Sequence, residues 1–445
     1  MDGIERRAFI KTGAVGALAF TLGSGLGRVT ISKARAQGAP FPAAQSDKPV
    51  RVSVVAYLSG RAAGPFGLHA RNAAELLVEA INVGNELPAP YASKGFAGRK
   101  LMLSVYDEAV SPAQQPELFR RIHASGADVI VGYAGSSHAL AVAPVAEELR
   151  QLTVVSGAGT SQLYAQRNWS WIFRTQTTTT PDAVGAARYV ASLPGMNRIA
   201  FGGVNPDYAW GTDSWAEFRA ALLHLLPESR EVGSHFSALY SVVVEGPLES
   251  LKAADAQLVH SATWGIDLFR LVEAARDRLP SARLVLISGE SGLSRVAGSI
   301  PDGTVIGGRG SHGWLARDTA LNRWFTAAYR DRYEVAPIYP AYGMANALLG
   351  LKAAWDKVGP TGDPSDVAST LAGSTFEGMG STVAMARANG RQGIAEAAYG
   401  TVRRNPVTKQ IELHDLRRFP ADCVNAPDGV TALKWIEAGF SGAHC

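Results

Sequence analysis

The sequence predicts an α/β protein of two lobes, each built on a parallel sheet covered by helices. Three observations carry that prediction. Short β-branched runs alternate with helical segments along most of the chain. The alternation breaks and restarts near residue 175. Roughly 409 residues remain once an N-terminal leader is subtracted from the 445, too many for one ordinary domain.

Each element has a local reason. A strand over 51–58 is a nearly continuous apolar run, as expected of a strand buried on both faces, and Ser59-Gly60 breaks it. A helix over 66–83, a strand over 100–106 and a helix opened by Pro112 and reaching 124 follow. Next come a strand over 128–131, a helix over 138–150 and a strand over 152–155. After the break the pattern repeats with a helix over 181–193, a strand over 198–202 and a helix over 213–225. Strands over 233–239 and 256–261, a helix over 267–278 and a strand over 283–288 complete the readable series. Ligands of such sheets sit at the carboxyl ends of the strands, where loops enter helices.

Residues 1–36 form the leader. Arg6 and Arg7, with Phe9 and Lys11, resemble the twin-arginine export motif, an apolar stretch over 13–22 follows, and Ala34-Arg35-Ala36 is a small-x-small cleavage pattern. That stretch falls short of the about 20 residues that span a bilayer. The mature chain is therefore expected outside the cytoplasm, in the periplasm. The leader also removes the charge excess. It holds six of the 43 Lys and Arg and two of the 39 Asp and Glu, leaving 37 of each, so no basic face speaks for nucleic acid. The two cysteines, Cys423 and Cys445, carry no metal-type spacing, and an oxidising compartment favours a disulfide between them.

Several short motifs recur in a fixed order: Leu58-Ser59-Gly60, Gly98 to Leu101, Tyr106-Asp107-Glu108, Gly132 to Ser137, Val155 to Thr160 and Ile172 to Thr175. Tyr208 to Gly211, Gly289-Glu290, Pro340 to Tyr342 and Thr375 to Gly378 continue it. In order and spacing, from about Val50 to Val402, the chain resembles a type I periplasmic binding protein of the Leu/Ile/Val branch of ABC-transporter receptors. The resemblance implies two Rossmann-like lobes joined by a hinge, with 49–173 plus 313–398 in lobe 1 and 174–312 plus 399–445 in lobe 2. It also implies a monomer that meets a membrane permease.

Ligand contacts are expected in the loops at the strand ends. Ser136 and Ser137 open a helix, whose N-terminus favours a carboxylate, although either serine also suits a helix cap. Gly157, Ala158, Gly159 and Thr160 offer close backbone approach and a hydroxyl. The hydroxyl residue usual in the family falls on Gly159. Glu290 matches the acid that holds the ligand ammonium in amino-acid receptors. Tyr208 and Trp210, with Thr263 and Trp264, match the aromatic cover of the second lobe, and large rings there exclude water. Tyr57 and the stretch 61–66 are weaker candidates for the first-lobe wall.

Gly308-Arg-Gly310-Ser-His-Gly313 fits the dinucleotide pattern GxGxxG, but no second strand with a ribose-binding acid follows, and the glycines suit a hinge crossing. No P-loop, HExxH or GxSxG motif occurs, and the nine histidines are scattered. The expectation is non-catalytic capture of an amino acid, of branched-chain type, or a related carboxylate or amide, without cofactor or metal. A sensory module for a receptor kinase and a secreted α/β hydrolase are the alternatives.

Overall fold

Residues 48–165, 167–241 and 243–445 are described by the computed structural model. The expected leader, with Arg6, Arg7 and the cleavage point at Ala36, lies outside the described residues.

The chain begins with β1 (Val50–Ala56), α1 (Leu68–Val83), β2 (Leu101–Asp107), α2 (Gln115–Ala124), β3 (Val129–Gly132), α3 (Ser136–Glu148), β4 (Thr153–Val155) and β5 (Ile172–Arg174). These five strands pair in parallel in the order β5-β4-β3-β1-β2, and the central β1, β3 and β4 are almost wholly buried. Side chains of Thr178, Thr319 and Asp363 cap the helices that begin at Thr179, Ala320 and Pro364. Before α2, Ser111 and Gln114 form a reciprocal capping box with Pro112 in the first turn.

The chain then crosses to a second sheet. It runs through α4 (Thr179–Ala191), β6 (Ala200–Pro206), α5 (Ala209–Leu225), β7 (Arg230–Ser237), α6 (Glu245–Ala253), β8 (Leu258–Ser261), α7 (Gly265–Arg278), β9 (Arg283–Leu286), α8 (Leu293–Val296) and β10 (Val305–Gly307). It returns for α9 (Ala320–Tyr333), α10 (Tyr339–Val358), α11 (Pro364–Leu371), β11 (Thr375–Glu377), β12 (Thr382–Arg387) and β13 (Gln392–Ile394). A last crossing leads to β14 (Ala397–Arg404), β15 (Ile411–Phe419), α12 (Ala421–Val424) and α13 (Ala432–Glu437).

The sheets are therefore β11-β12-β13-β5-β4-β3-β1-β2 and β15-β14-β10-β9-β8-β6-β7. Both are mostly parallel, as the sequence predicts, with antiparallel strands added at one end of each. β11, β12 and β13 form an antiparallel meander, and β14 runs antiparallel to both β10 and β15. Within the meander and between β14 and β15 the connections are too short for the crossover that parallel neighbours require.

Helix α10, nearly all buried, packs with α1 beneath the first sheet, where Phe96 stacks on Trp355 at 5.4 Å. Burying a residue such as Phe96 contributes about 1.5–3 kcal/mol. Around the second sheet, Cys423 and Cys445 are joined as a disulfide, with Cα atoms 4.7 Å apart, and α13 packs on α5. Among the described residues no helix is long and apolar enough to cross a membrane.

Candidate functional site

Loops from the carboxyl ends of β1, β3, β4, β6, β8, β9 and β10 converge on one cavity of about 210 Å³ between the two sheets. The first lobe contributes Tyr57, Phe66, Ala134 to His138, Gly159 and Tyr339 to the lining. The second contributes Tyr208, Trp210, Trp264, Ser288 and Ser291, and the crossing after β10 contributes Gly308 and Arg309.

The rings of Tyr57, Phe66, Tyr208, Trp210, Trp264 and Tyr339 line the wall, and several are fixed in place. Phe66 sits edge-on to both Trp264 and Tyr339, with centroids 5.5 Å from each. The Trp264 indole N–H donates to Tyr208 Oη at 2.8 Å, and that of Trp210 donates to the Ala262 carbonyl at 2.9 Å. Satisfied indoles leave flat apolar faces.

Arg309 is the only permanently charged side chain among the described lining residues. Its guanidinium carbon lies 4.0 Å from the ring centroids of both Trp210 and Tyr339, so two aromatic faces sandwich it. Nη1 donates to the Gly157 carbonyl at 3.0 Å, while Nε and Nη2 are buried without a partner. Nε and Nη2 share the edge of the guanidinium that pairs side-on with a carboxylate. Nearby Asp182 accepts the Gly310 N–H at 3.1 Å through Oδ1, and its Oδ2 has no partner. Burial pushes this acid up to about 7, although Arg309 pulls the other way. Much of the Arg309 charge is thus left without a close counter-ion, which is costly in a buried site.

The expected contacts fall into two groups. Ser136, Ser137, Gly159, Tyr208, Trp210 and Trp264 line the cavity; Gly157, Ala158, Thr160, Thr263 and Glu290 do not. Gly159 clears the space that Arg309 and Trp210 fill, since a Cβ there would overlap Nη2 and the indole. Gly157 acts through its carbonyl, which accepts from Arg309 and from Tyr339 Oη. The Ala158 carbonyl accepts from buried Arg174 at 3.2 Å. Thr160 Oγ1 donates to Asp213 Oδ2 on α5 at 2.6 Å, tying the lobes together away from the cavity. Thr263 bonds Ser261 at 2.8 Å.

Glu290 turns away from the cavity. The 3-10 turn Gly289–Gly292 carries its side chain beneath the crossing, where Oε1 accepts the Trp314 N–H at 3.2 Å and Oε2 has no partner. The fit depends on glycine at 313, which has φ 53° and where a Cβ would strike Oε1. Burial pushes Glu290 up to about 8, so it is largely neutral at pH 7. The amides before α3 are also spent internally, because Glu108 accepts those of Ala134 and Gly135 at 2.9 and 2.8 Å.

Sequence reading missed Arg309, Tyr339 and Glu108. Arg309 stood inside the glycine run read as a hinge, and its one signal was a lone cation after a strand. That run leads through a 3-10 turn to α9 and α10 with no strand between, unlike a dinucleotide fold. No group of three or more His, Cys, Asp or Glu among the described residues is placed to hold a metal.

Two α/β lobes enclosing a cavity at their strand ends define a capture protein of the periplasmic type. A family model described as periplasmic binding protein matches residues 49–405, and the chain belongs to that family. No curated protein matches the chain. Among solved structures, an ABC-transporter solute-binding protein from Rhodopseudomonas palustris BisB5, in complex with 3,4-dihydroxybenzoic acid, superposes with TM-score 0.71 at 19% identity, over 85% of this chain and 99% of that one. A leucine-, isoleucine-, valine-, threonine- and alanine-binding protein from Brucella ovis, in a closed conformation, gives TM-score 0.70 at 19% identity, over 85% and 97%. An ABC-transporter substrate-binding protein from Sphaerobacter thermophilus gives 0.72 at 18%, over 84% and 98%.

Proposed function

We propose that this protein captures a small carboxylate with a flat, apolar body between its lobes and presents the closed complex to an ABC-transporter permease. The observation that carries this reading is Arg309, a buried cation between two aromatic faces with its Nε and Nη2 donors unpartnered. A carboxylate would complete both donors and neutralise the charge. The rings would cover the ligand's body.

The relatives of similar fold bind solutes of two kinds, aromatic acids and aliphatic amino acids. This cavity favours the first. Among the described residues no acidic side chain lines it to receive an ammonium, and Glu290 lies under the crossing in a mostly neutral state.

Titration calorimetry with benzoate, hydroxybenzoates and leucine tests the reading. An aromatic carboxylate should bind, and Arg309→Gln should weaken it by roughly ten- to a hundredfold, the loss expected for one charge-assisted contact. Tight leucine binding that survives Arg309→Gln would overturn it.

A further inference from the structure

The wall formed by the β3–α3 loop carries a polar pair that a carboxylate at Arg309 does not use. Glu108 is fully buried, and its carboxylate accepts the Ala134 and Gly135 amides. Its Oε1 also lies 3.0 Å from His138 Nδ1. Gln115 Nε2 is 3.1 Å from the same nitrogen, but it donates to the Glu108 carbonyl at 2.8 Å and faces the Val110 carbonyl at 3.4 Å. The Tyr57 hydroxyl completes the ring of neighbours at 3.3 Å.

A carboxylate already holding two amide protons has only lone pairs to offer His138. The shared proton therefore sits on Nδ1. In a neutral imidazole this leaves Nε2 a bare acceptor. The ring lines the cavity, and Nε2 has no partner among the described residues. Glu108 thus fixes what His138 can accept.

We infer that His138 Nε2 accepts a hydroxyl hydrogen from the bound solute, so the ligand is a hydroxylated carboxylate, phenolic in type. The inference rests on the carboxylate reading for the ligand's other end. A site built to pair a hydroxyl discriminates against the analogue lacking it, because the protein acceptor is left dry and unpaired.

The test combines affinity with a direct reading of the tautomer. Wild-type protein should bind 3- or 4-hydroxybenzoate about tenfold more tightly than benzoate or the matching methoxybenzoate, which carries no hydroxyl hydrogen. His138→Phe should bring the hydroxybenzoate down to the benzoate level. In ligand-free protein, nitrogen-15 NMR of the imidazole, assigned by the loss of signals in His138→Phe or His138→Gln, should show the proton on Nδ1. The Nε2 resonance should move with hydroxybenzoate and stay with benzoate. A proton on Nε2, or a hydroxyl preference that survives the loss of His138, overturns the inference. If no aromatic carboxylate binds, the carboxylate reading falls by itself, and the tautomer still decides what His138 can accept.

Discussion

At the scale of single residues, Gly159 and Glu290 show how little a position in the chain says about where a side chain points. At Gly159 the departure from the family's hydroxyl makes room for the guanidinium beside Trp210. Gly159→Ala should therefore weaken aromatic-carboxylate binding at least tenfold by displacing Arg309, with circular dichroism unchanged; calorimetry reads the loss. Glu290 occupies the loop its motif indicates, yet the turn over Gly289–Gly292 rotates it beneath the crossing. Glu290→Gln should leave ligand affinity within about twofold, since the acid is already mostly neutral at pH 7.

The same burial predicts a pH profile. Asp182, Glu217 and Glu290 are pushed up to about 7, 8 and 8. Each stabilises the fold fully below the unfolded carboxyl range, and that stability is lost as pH rises through the folded value. Buried His69, His260 and His312 are pushed down to about 4, 3 and 4, so their contribution is lost as pH falls below about 6.5. The two trends leave only the acids acting above neutrality. The melting temperature should fall between pH 6.5 and 8, and Glu290→Gln should flatten that fall. A wild-type Tm that rises over this window contradicts the assignment.

At the scale of elements, the strand-to-helix loops do the positioning, and they were the legible part. β1 to β4 and β6, β8 and β9 are apolar runs ending in breakers, so their ends, and the loops carrying Ser136, Tyr208 and Trp264, could be read directly. The strands from β11 to β15 could not. They are short or sit toward sheet edges, and β15 is exposed or half-buried at every position after Ile411, so its pattern is mostly polar. Arg309 was hidden for a related reason. A glycine run explains a crossing so fully that the one cation inside it carries no separate periodic signal. Helix α5 holds a further contact of this kind. Asp213 accepts Thr160 Oγ1 at 2.6 Å, Ser161 N at 3.2 Å and Gln162 Nε2 at 2.9 Å across the lobes. Asp213→Ala should weaken ligand binding about tenfold by destabilising the closed form that these contacts favour. A lower Tm with unchanged affinity would make the contact structural only.

At the scale of the molecule, two sheets and three crossings bring residues distant in sequence to one enclosed space. Arg61 in the first lobe donates to the Tyr240 carbonyl in the second at 3.0 Å, Thr160 reaches Asp213, and Phe66 meets Trp264. These contacts between the lobes bring the aromatic walls and the cation to one space, and under the proposed capture a ligand would favour closure only through contacts an open form lacks. Recognition turns on which group of the solute meets which group of the protein. A crystal structure of the protein with its tightest-binding aromatic carboxylate reads this directly. The ligand's carboxylate should lie within about 3 Å of Arg309 Nε and Nη2, with the ring against Phe66 and Trp264. A carboxylate seated instead on the Ser136 and Ser137 amides, with Arg309 still unpartnered, would contradict it.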